Sequence, residues 1–307
     1  GNNGTELGDN QEDVTVYATT SKLFRDDKDG LTKEIFIPKT YDQAVTCHDR
    51  EKWLEAMKSE MESHSKAGTW VLVEAEKIPK GRRIVGSTWV YDVKRNEDGS
   101  INRYKARFVA QGFSQAEGYD FINTYSSTIR YDTMRTLFSI AASKDLNLSG
   151  CDVRTAYLNG YMDVELYMRQ PKGFIETSDK GPLLCKLIRS LYGTRQAGAR
   201  WEERLVTYLL KEGFVRCDVD PCLFKYEKGS DMIYLAVYVD DLIWATSSNQ
   251  LRENMMIRLN NEFEIKDTGR LTWIFGTAIS QDLKSKTVAI NQKLYIEDFI
   301  TSFLDKE

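Results

Sequence analysis

From Met232 to Thr246 the chain reads MIYLAVYVDDLIWAT, an apolar run broken once, by the adjacent acids Asp240 and Asp241. Ile233, Leu235, Val237 and Val239 alternate with Tyr234, Ala236 and Tyr238, and both sets are largely apolar. This pattern predicts a strand covered on both faces. A second strand, Leu242–Thr246, follows at once, which puts the two aspartates at the tip of a hairpin. Neighbouring carboxylates between buried strands repel each other and lose hydration, and a bound divalent cation relieves both penalties.

The rest of the chain alternates between helical and strand periods. Residues 1–37 are rich in Gly, Asn and Asp with little periodicity and are expected to be disordered or a linker. Trp53, Met57 and Met61 recur at i+4, predicting a helix from about Asp49, as its cap, to Lys66, stopped by Gly68. Strand-prone runs follow at 70–73, 87–94 and 101–109, the last two joined through Asp98-Gly99, a hairpin signal. A helix is expected from Asp132, as its cap, to Lys144, burying Met134, Leu137, Phe138, Ala141 and Ala142. Asp152 closes a short strand and precedes a turn of helix; short strands are expected at 166–168 and 185–188. Trp201, Leu205, Tyr208 and Leu209 mark a helix ended by Gly213, and residues 222–226 pair with the strand leading to Asp240. Ser248 or Asn249 caps a helix to about Asn261, residues 273–279 and 288–290 form a final hairpin, and Leu294 opens a helix. The sum is an α+β chain without internal repeats.

Composition narrows the function classes. A chain of 307 residues, 41% hydrophobic and 29% charged, has material for two or three lobes. No apolar run approaches the ~18 residues of a membrane span. Five scattered cysteines and two histidines point to free thiols rather than disulfides or a zinc site. The net charge of −4 disfavours a nucleic-acid partner, yet between Lys80 and Arg107 eight Lys or Arg face three acids. Such a stretch is either a basic lobe for phosphate contact or a solvated hairpin. Within it, Lys105 and Arg107 share one face of a strand, to grip a polyphosphate or to guard a sheet edge.

Asp152 lies 88 residues before Asp240, and each follows an apolar strand segment. A lone Asp at such a place is usually a helix cap. In combination, the order strand–helix–hairpin–helix can bring both acids to one edge of an antiparallel sheet.

The chain resembles the reverse transcriptase of copia-type LTR retrotransposons. The segments that carry the resemblance are Arg103–Gly112 (RYKARFVAQG), Gly118–Phe121 with Thr124-Tyr-Ser, Asp152–Gly160 (DVRTAYLNG), Tyr167–Phe174 (YMRQPKGF), Ser190–Trp201, Asp220–Phe224 (DPCLF), Tyr238–Asp241 (YVDD) and Phe275-Gly276. They fall in the family's order over roughly residues 40–300. The resemblance implies a right-hand polymerase: fingers over 38–127 and 160–197, an antiparallel-sheet palm flanked by helices over 128–159 and 198–284, and only the start of a thumb over 285–307.

It also implies two-metal chemistry, in which a primer 3′-hydroxyl attacks the α-phosphate of a nucleotide between two Mg²⁺ ions about 3.5–4 Å apart, with Mn²⁺ as a substitute. Asp152 and Asp240 would be direct ligands, Asp241 a supporting one, and Val153 would offer its carbonyl. Backbone N–H groups near Thr155 and Ala156 would meet the phosphates. Tyr157 would close the space of a ribose 2′-hydroxyl; a core aromatic is the plainer reading. Lys105 and Arg107 match residues that hold the triphosphate. Tyr192, Gly193 and Gln196 match a loop lining the nucleotide pocket and template, where a glycine lets a base come close. Tyr238, Phe275 and Gly276 match the grip on the primer end. Many relatives carry Leu-Lys-Gln-Ala-Pro where this chain has Thr194–Gly198, and Phe is common in place of Tyr157.

Implied partners are an RNA template, a DNA primer–template duplex and deoxynucleotides, with no membrane. The family polyprotein's ribonuclease H and integrase do not fit in this length, so a homodimer or those missing domains would complete the grip. The family places the protein in cytoplasmic virus-like particles, or in the nucleus. Two alternatives stand beside this reading: a domesticated relative that holds nucleic acid without catalysis, and an RNA polymerase on a similar palm, which Tyr157 argues against.

Overall fold

The computed structural model describes residues 21–25, 32–95, 100–293, 295–296 and 299–300. The chain forms two compact units, one of Gly1–Ser59 with Trp89–Arg107, the other of Glu60–Thr88 with Phe108–Glu307.

In the first unit, strands Ser21–Arg25 and Thr32–Phe36 pair antiparallel, so the expected linker contains a hairpin; residues 1–20 and 26–31 lie outside the described residues. The helix Arg50–Ala67 begins in this unit, and strands Ser87–Arg95 and Ile101–Ala110 pair as predicted, their Asp-Gly turn lying outside the described residues. Trp53 and Met57 are fully buried here. The Trp53 ring meets Tyr91 and Tyr104 edge-on at 5.3 and 4.7 Å, and the Tyr91 hydroxyl donates to the Met57 sulfur at 3.3 Å. Aromatic edge contacts of this kind add roughly 0.5–1.5 kcal/mol each beyond area burial.

The second unit is built on a six-stranded antiparallel sheet. Its elements, in chain order, are helix α1 (Tyr131–Ser143), strand β1 (Asn147–Val153), helix α2 (Ala197–Lys211), strands β2 (Val215–Arg216), β3 (Leu223–Lys228), β4 (Asp231–Tyr238) and β5 (Asp241–Thr246), helix α3 (Asn249–Glu262) and strand β6 (Ile265–Arg270). The strand order is β2-β3-β4-β5-β1-β6. Helix α1 starts one residue earlier than expected: Arg130 is the cap residue and Asp132 sits in the first turn, while Ala142 is only half-buried. Ser248 caps α3 by accepting from the Leu251 amide.

The two-faced pattern of the central strands is explained by two cores. Cys151, Val153, Ile233, Leu235, Leu242 and Trp244 point to the face covered by α2 and α3. Leu148, Ala236, Ile243 and Ala245 point to the face covered by α1 and by a three-stranded sheet, β7 (Trp273–Ile274), β8 (Thr277–Asp282) and β9 (Thr287–Asn291). Each fully buried aliphatic side chain contributes about 1.5–3 kcal/mol, so the middle of this sheet is the most firmly held part of the unit. The helix expected from Leu294 lies largely outside the described residues.

A smaller sheet joins Trp70–Glu74, Gly181–Leu187, Tyr167–Met168 and Ile84–Val85 in the same unit. The basic stretch is therefore not one lobe. Lys80–Arg83 belongs to the second unit and Lys94–Arg107 to the first. All five cysteines are free thiols. Among the described residues, no helix is long and apolar enough to cross a membrane.

Candidate active site

Strands β4 and β5 are joined by two residues, Val239 and Asp240, with Tyr238 paired to Asp241 across the hairpin. On its other side β5 pairs with β1, and the register sets Asp241 directly opposite Asp152. Directly opposed residues of an antiparallel pair share a face, so the two carboxylates stand side by side. The third acid is held at the turn: the Val153 amide donates to the Asp240 carbonyl at 2.8 Å. The acids meet at the end of central strands, not along the sheet's outer edge.

Charge and burial agree with this convergence. Burial, then the charges of Asp240 and Asp152, push the Asp241 carboxyl up to about 6. A cluster of carboxylates is an all-oxygen donor set suited to a hard divalent cation. Among the described residues no three His, Cys, Asp or Glu side chains stand as a ready-made cage for an ion. Mg²⁺ does not need one, since it is commonly held by one or two carboxylates together with water and substrate phosphates. The residues therefore fit such a group. Val153 itself is buried, and on β6 Lys266 is the register partner of Asp152, a cation beside the acids. Sequence patterning misses Lys266 because β6, IKDTGR, carries almost no apolar alternation. Cys151, next to Asp152, is inert: burial pushes its thiol up to about 12, and the Trp244 indole donates to its sulfur at 3.2 Å.

After β1 the backbone turns sharply. Thr155 adopts a left-handed φ of +49° and precedes a short 3₁₀ turn, Ala156–Asn159. The amides of Thr155 and Ala156 donate to no group among the described residues. Tyr157 packs against the sheet core, and its ring lies 4.7 Å from that of Tyr192 at 58°. Tyr238 and Phe275 also meet, ring centroids 4.3 Å apart. Phe275 and Gly276 form the β7–β8 turn, both at positive φ, +50° and +72°. This is the mirror-image turn that tight hairpins favour.

Gln196 and Gly193 both make contacts within the protein itself. The Gln196 side chain is fully buried; it donates to the Asp120 carbonyl at 2.9 Å and accepts from the Gln115 amide at 3.0 Å. It ties the 112–120 loop to the start of α2 and presents no surface to a nucleotide. Gly193 has φ +87°, and a Cβ there would sit 2.1 Å from the Ala110 carbonyl oxygen. On that side the protein's own backbone comes close, while Gly193 is otherwise exposed. Gly198, where many relatives have proline, admits Ser126, whose hydroxyl oxygen would lie 2.6 Å from an added Cβ. Lys105 and Arg107 lie in the first unit on one half-buried face of the strand Ile101–Ala110, with Ala106 and Phe108 buried on the other.

The family model described as reverse transcriptase (RNA-dependent DNA polymerase) matches residues 67–305. The Retrovirus-related Pol polyprotein from transposon TNT 1-94 of Nicotiana tabacum is 35% identical over 267 residues, 87% of this chain and 20% of that protein. The corresponding polyprotein from transposon RE1 of Arabidopsis thaliana is 35% identical over 86% of this chain and 17% of its own length. The chain thus spans about a fifth of these relatives. A solved structure of a foamy viral protease-reverse transcriptase in complex with double-stranded DNA overlaps more loosely, at TM-score 0.38 and 12% identity, over 78% of this chain and 35% of that one.

Proposed function

The chain belongs to the reverse transcriptase (RNA-dependent DNA polymerase) family, and we propose that it extends a DNA primer on RNA and DNA templates at the carboxylate cluster of β1 and the β4–β5 turn. The observation that carries this reading is the side-by-side register of Asp152 and Asp241 next to Asp240. Asp152 and Asp240, supported by Asp241 and the Val153 carbonyl, would hold two Mg²⁺ ions, for which Mn²⁺ substitutes. When bound, such ions lower the barrier by activating the attacking hydroxyl and neutralising charge on the phosphates.

The remaining roles fall to the chain's own groups. The undirected amides of Thr155 and Ala156 receive phosphate oxygens. In the first unit, Lys105 and Arg107 are a pair of cations of the kind that grips a triphosphate. Tyr157, backed by Tyr192, closes the space of a 2′-hydroxyl and selects deoxynucleotides. Tyr238, Phe275 and Gly276 seat the primer end. On this reading the six-stranded sheet with its helices is the palm (128–159 and 198–284). Residues 38–127 and 160–197 are the fingers, and the thumb begins at 285. A template, a primer duplex and further polyprotein domains or a second copy are the partners, in a virus-like particle.

The test is primer extension on a primed RNA template with Mg²⁺, using deoxy- or ribonucleotides. Extension with deoxynucleotides only, lost by at least 100-fold, roughly, in Asp240→Asn, is expected for removal of a metal-holding carboxylate. Template binding without extension in the wild type would instead support a non-catalytic nucleic-acid-binding relative. Extension with ribonucleotides would assign an RNA polymerase.

A further inference from the structure

The turn that presents Asp240 has an unsuitable residue at its first position. Two-residue hairpin turns need positive φ there and are normally built with Gly, Asn or Asp. Here the residue is Val239, at φ +56°. A β-branched side chain in the left-handed region is an outlier that persists only where its surroundings over-determine it.

Two hydrogen bonds supply that determination. From the sheet, the Val153 amide donates to the Asp240 carbonyl at 2.8 Å. From α2, the Trp201 indole Nε1–H donates to the Val239 carbonyl at 2.5 Å. Both carbonyls of the turn are thereby fixed, one by backbone pairing and one by a side chain. The Trp201 ring is itself immobilised: it is 2% exposed and meets Phe263 edge-on at 5.2 Å. A small cavity bordered by Tyr157, Trp201, Val237 and Val239 lies alongside, so the turn has room to relax if the donor is removed. Hydrophobic periodicity accounts for Trp201 as a core residue, but a phenylalanine would fill that role equally well. The N–H is what a core position does not require.

We propose that Trp201 is a positioning residue, whose indole N–H locks the Val239–Asp240 peptide in its left-handed turn and so aims the Asp240 carboxylate at the metal-binding cluster. This rests on the polymerase reading of that cluster, and its test separates the two. Trp201→Phe keeps the ring and deletes the donor. Expected are a melting temperature within about 2 °C of wild type, a fall in kcat of about ten-fold with the nucleotide KM changed by less than about three-fold, and Mn²⁺ binding, followed by electron paramagnetic resonance, weakened about five-fold. Glycine is at ease at positive φ, so in a Val239→Gly background the same substitution should cost less than about two-fold in both readouts.

Equal losses in both backgrounds, or Mn²⁺ affinity unchanged by Trp201→Phe, would overturn the proposal. If the wild type extends no primer, the polymerase reading fails, and the Mn²⁺ measurement still decides. Binding abolished by Asp152→Asn and weakened by Trp201→Phe supports the positioning role; no difference between Trp201→Phe and wild type refutes it. Should Trp201→Phe not fold, benzothienylalanine at position 201, which keeps the bicyclic shape without an N–H, is judged by the same outcomes.

Discussion

Asp220 is buried, yet it is a hub of hydrogen bonds. Its carboxylate accepts from the Thr133 hydroxyl at 2.5 Å, the Cys222 amide at 2.9 Å and the Arg130 amide at 3.1 Å, tying the start of α1 to β3. Burial raises the carboxyl, but these donors outweigh it and hold the group below the usual carboxylate range. Removing the acceptor leaves three donors unsatisfied, so Asp220→Ala should lose about 2–4 kcal/mol in urea denaturation. The pH dependence has a definite sign. A folded-state value below the unfolded one means the stabilisation is complete above about pH 4 and is lost as pH falls through the folded value. The gap in melting temperature between wild type and Asp220→Asn should therefore be constant from pH 7 to 5 and close below pH 4. The sequence motif DPCLF marks this aspartate without revealing its use. Gln196 is the converse case: its place in a matched motif implied a nucleotide contact, and its burial between Gln115 and Asp120 assigns it to the scaffold. Apart from the Cys222 amide, the partners of both residues lie 76 to 90 positions away, beyond any local pattern.

At the scale of elements, the central hairpin was the most legible part of the chain. A strand buried on both faces must be apolar at both parities, so β4 and β5, and the acids between them, could be read directly. The convergence of Asp152 with them depended on topology and was readable only as an expectation. Strand β6 was invisible because IKDTGR buries little, and the turn type was hidden because Val239 and Phe275 occupy positions where glycine would have announced it. Glycine was legible at 193, but the backbone crossing it permits was not. Gly193 and Gly112 let two backbone segments cross: an added Cβ at Gly112 would sit 2.0 Å from the Gly193 carbonyl oxygen, and one at Gly193 2.1 Å from that of Ala110. In each case the nearest atom is backbone, which cannot swing aside. Gly193→Ala should then destabilise by at least about 2 kcal/mol, combining positive-φ strain with the overlap, with or without nucleotide present. A variant of unchanged stability and raised nucleotide KM would return the glycine to the binding pocket.

For the whole molecule the open quantity is charge. An overall −4 repels polyanions at long range, while the bases between Lys80 and Arg107 supply local attraction divided between the two units. In the second unit, Arg82 and Arg83 lean on the 112–121 loop through the Tyr119 and Ser114 carbonyls, both at 3.4 Å. Both contacts are long and to neutral acceptors; Arg82 also faces the Glu165 carboxylate at 4.0 Å, so Arg83 is the freer of the two charges. That loop exposes Phe113 and Tyr119, and the residues just after it expose Ile122 and Tyr125, large apolar side chains with no core to serve. Cations interleaved with exposed aromatics are the pattern of a single-strand stacking surface. Each phosphate neutralised on a single strand releases counterions and adds about −0.7 to the slope of log K against log salt. With Arg82 partly met by Glu165, the paired substitution Arg82→Gln, Arg83→Gln should thus flatten the slope for a single-stranded template by about 0.7 to 1.4, with affinity falling most at low salt. Tyr119→Ala should weaken binding by roughly ten-fold while leaving the slope alone, because stacking releases no counterions. Fluorescence anisotropy across a salt series distinguishes the two, and a slope unaffected by losing both arginines would remove this face from the template's path.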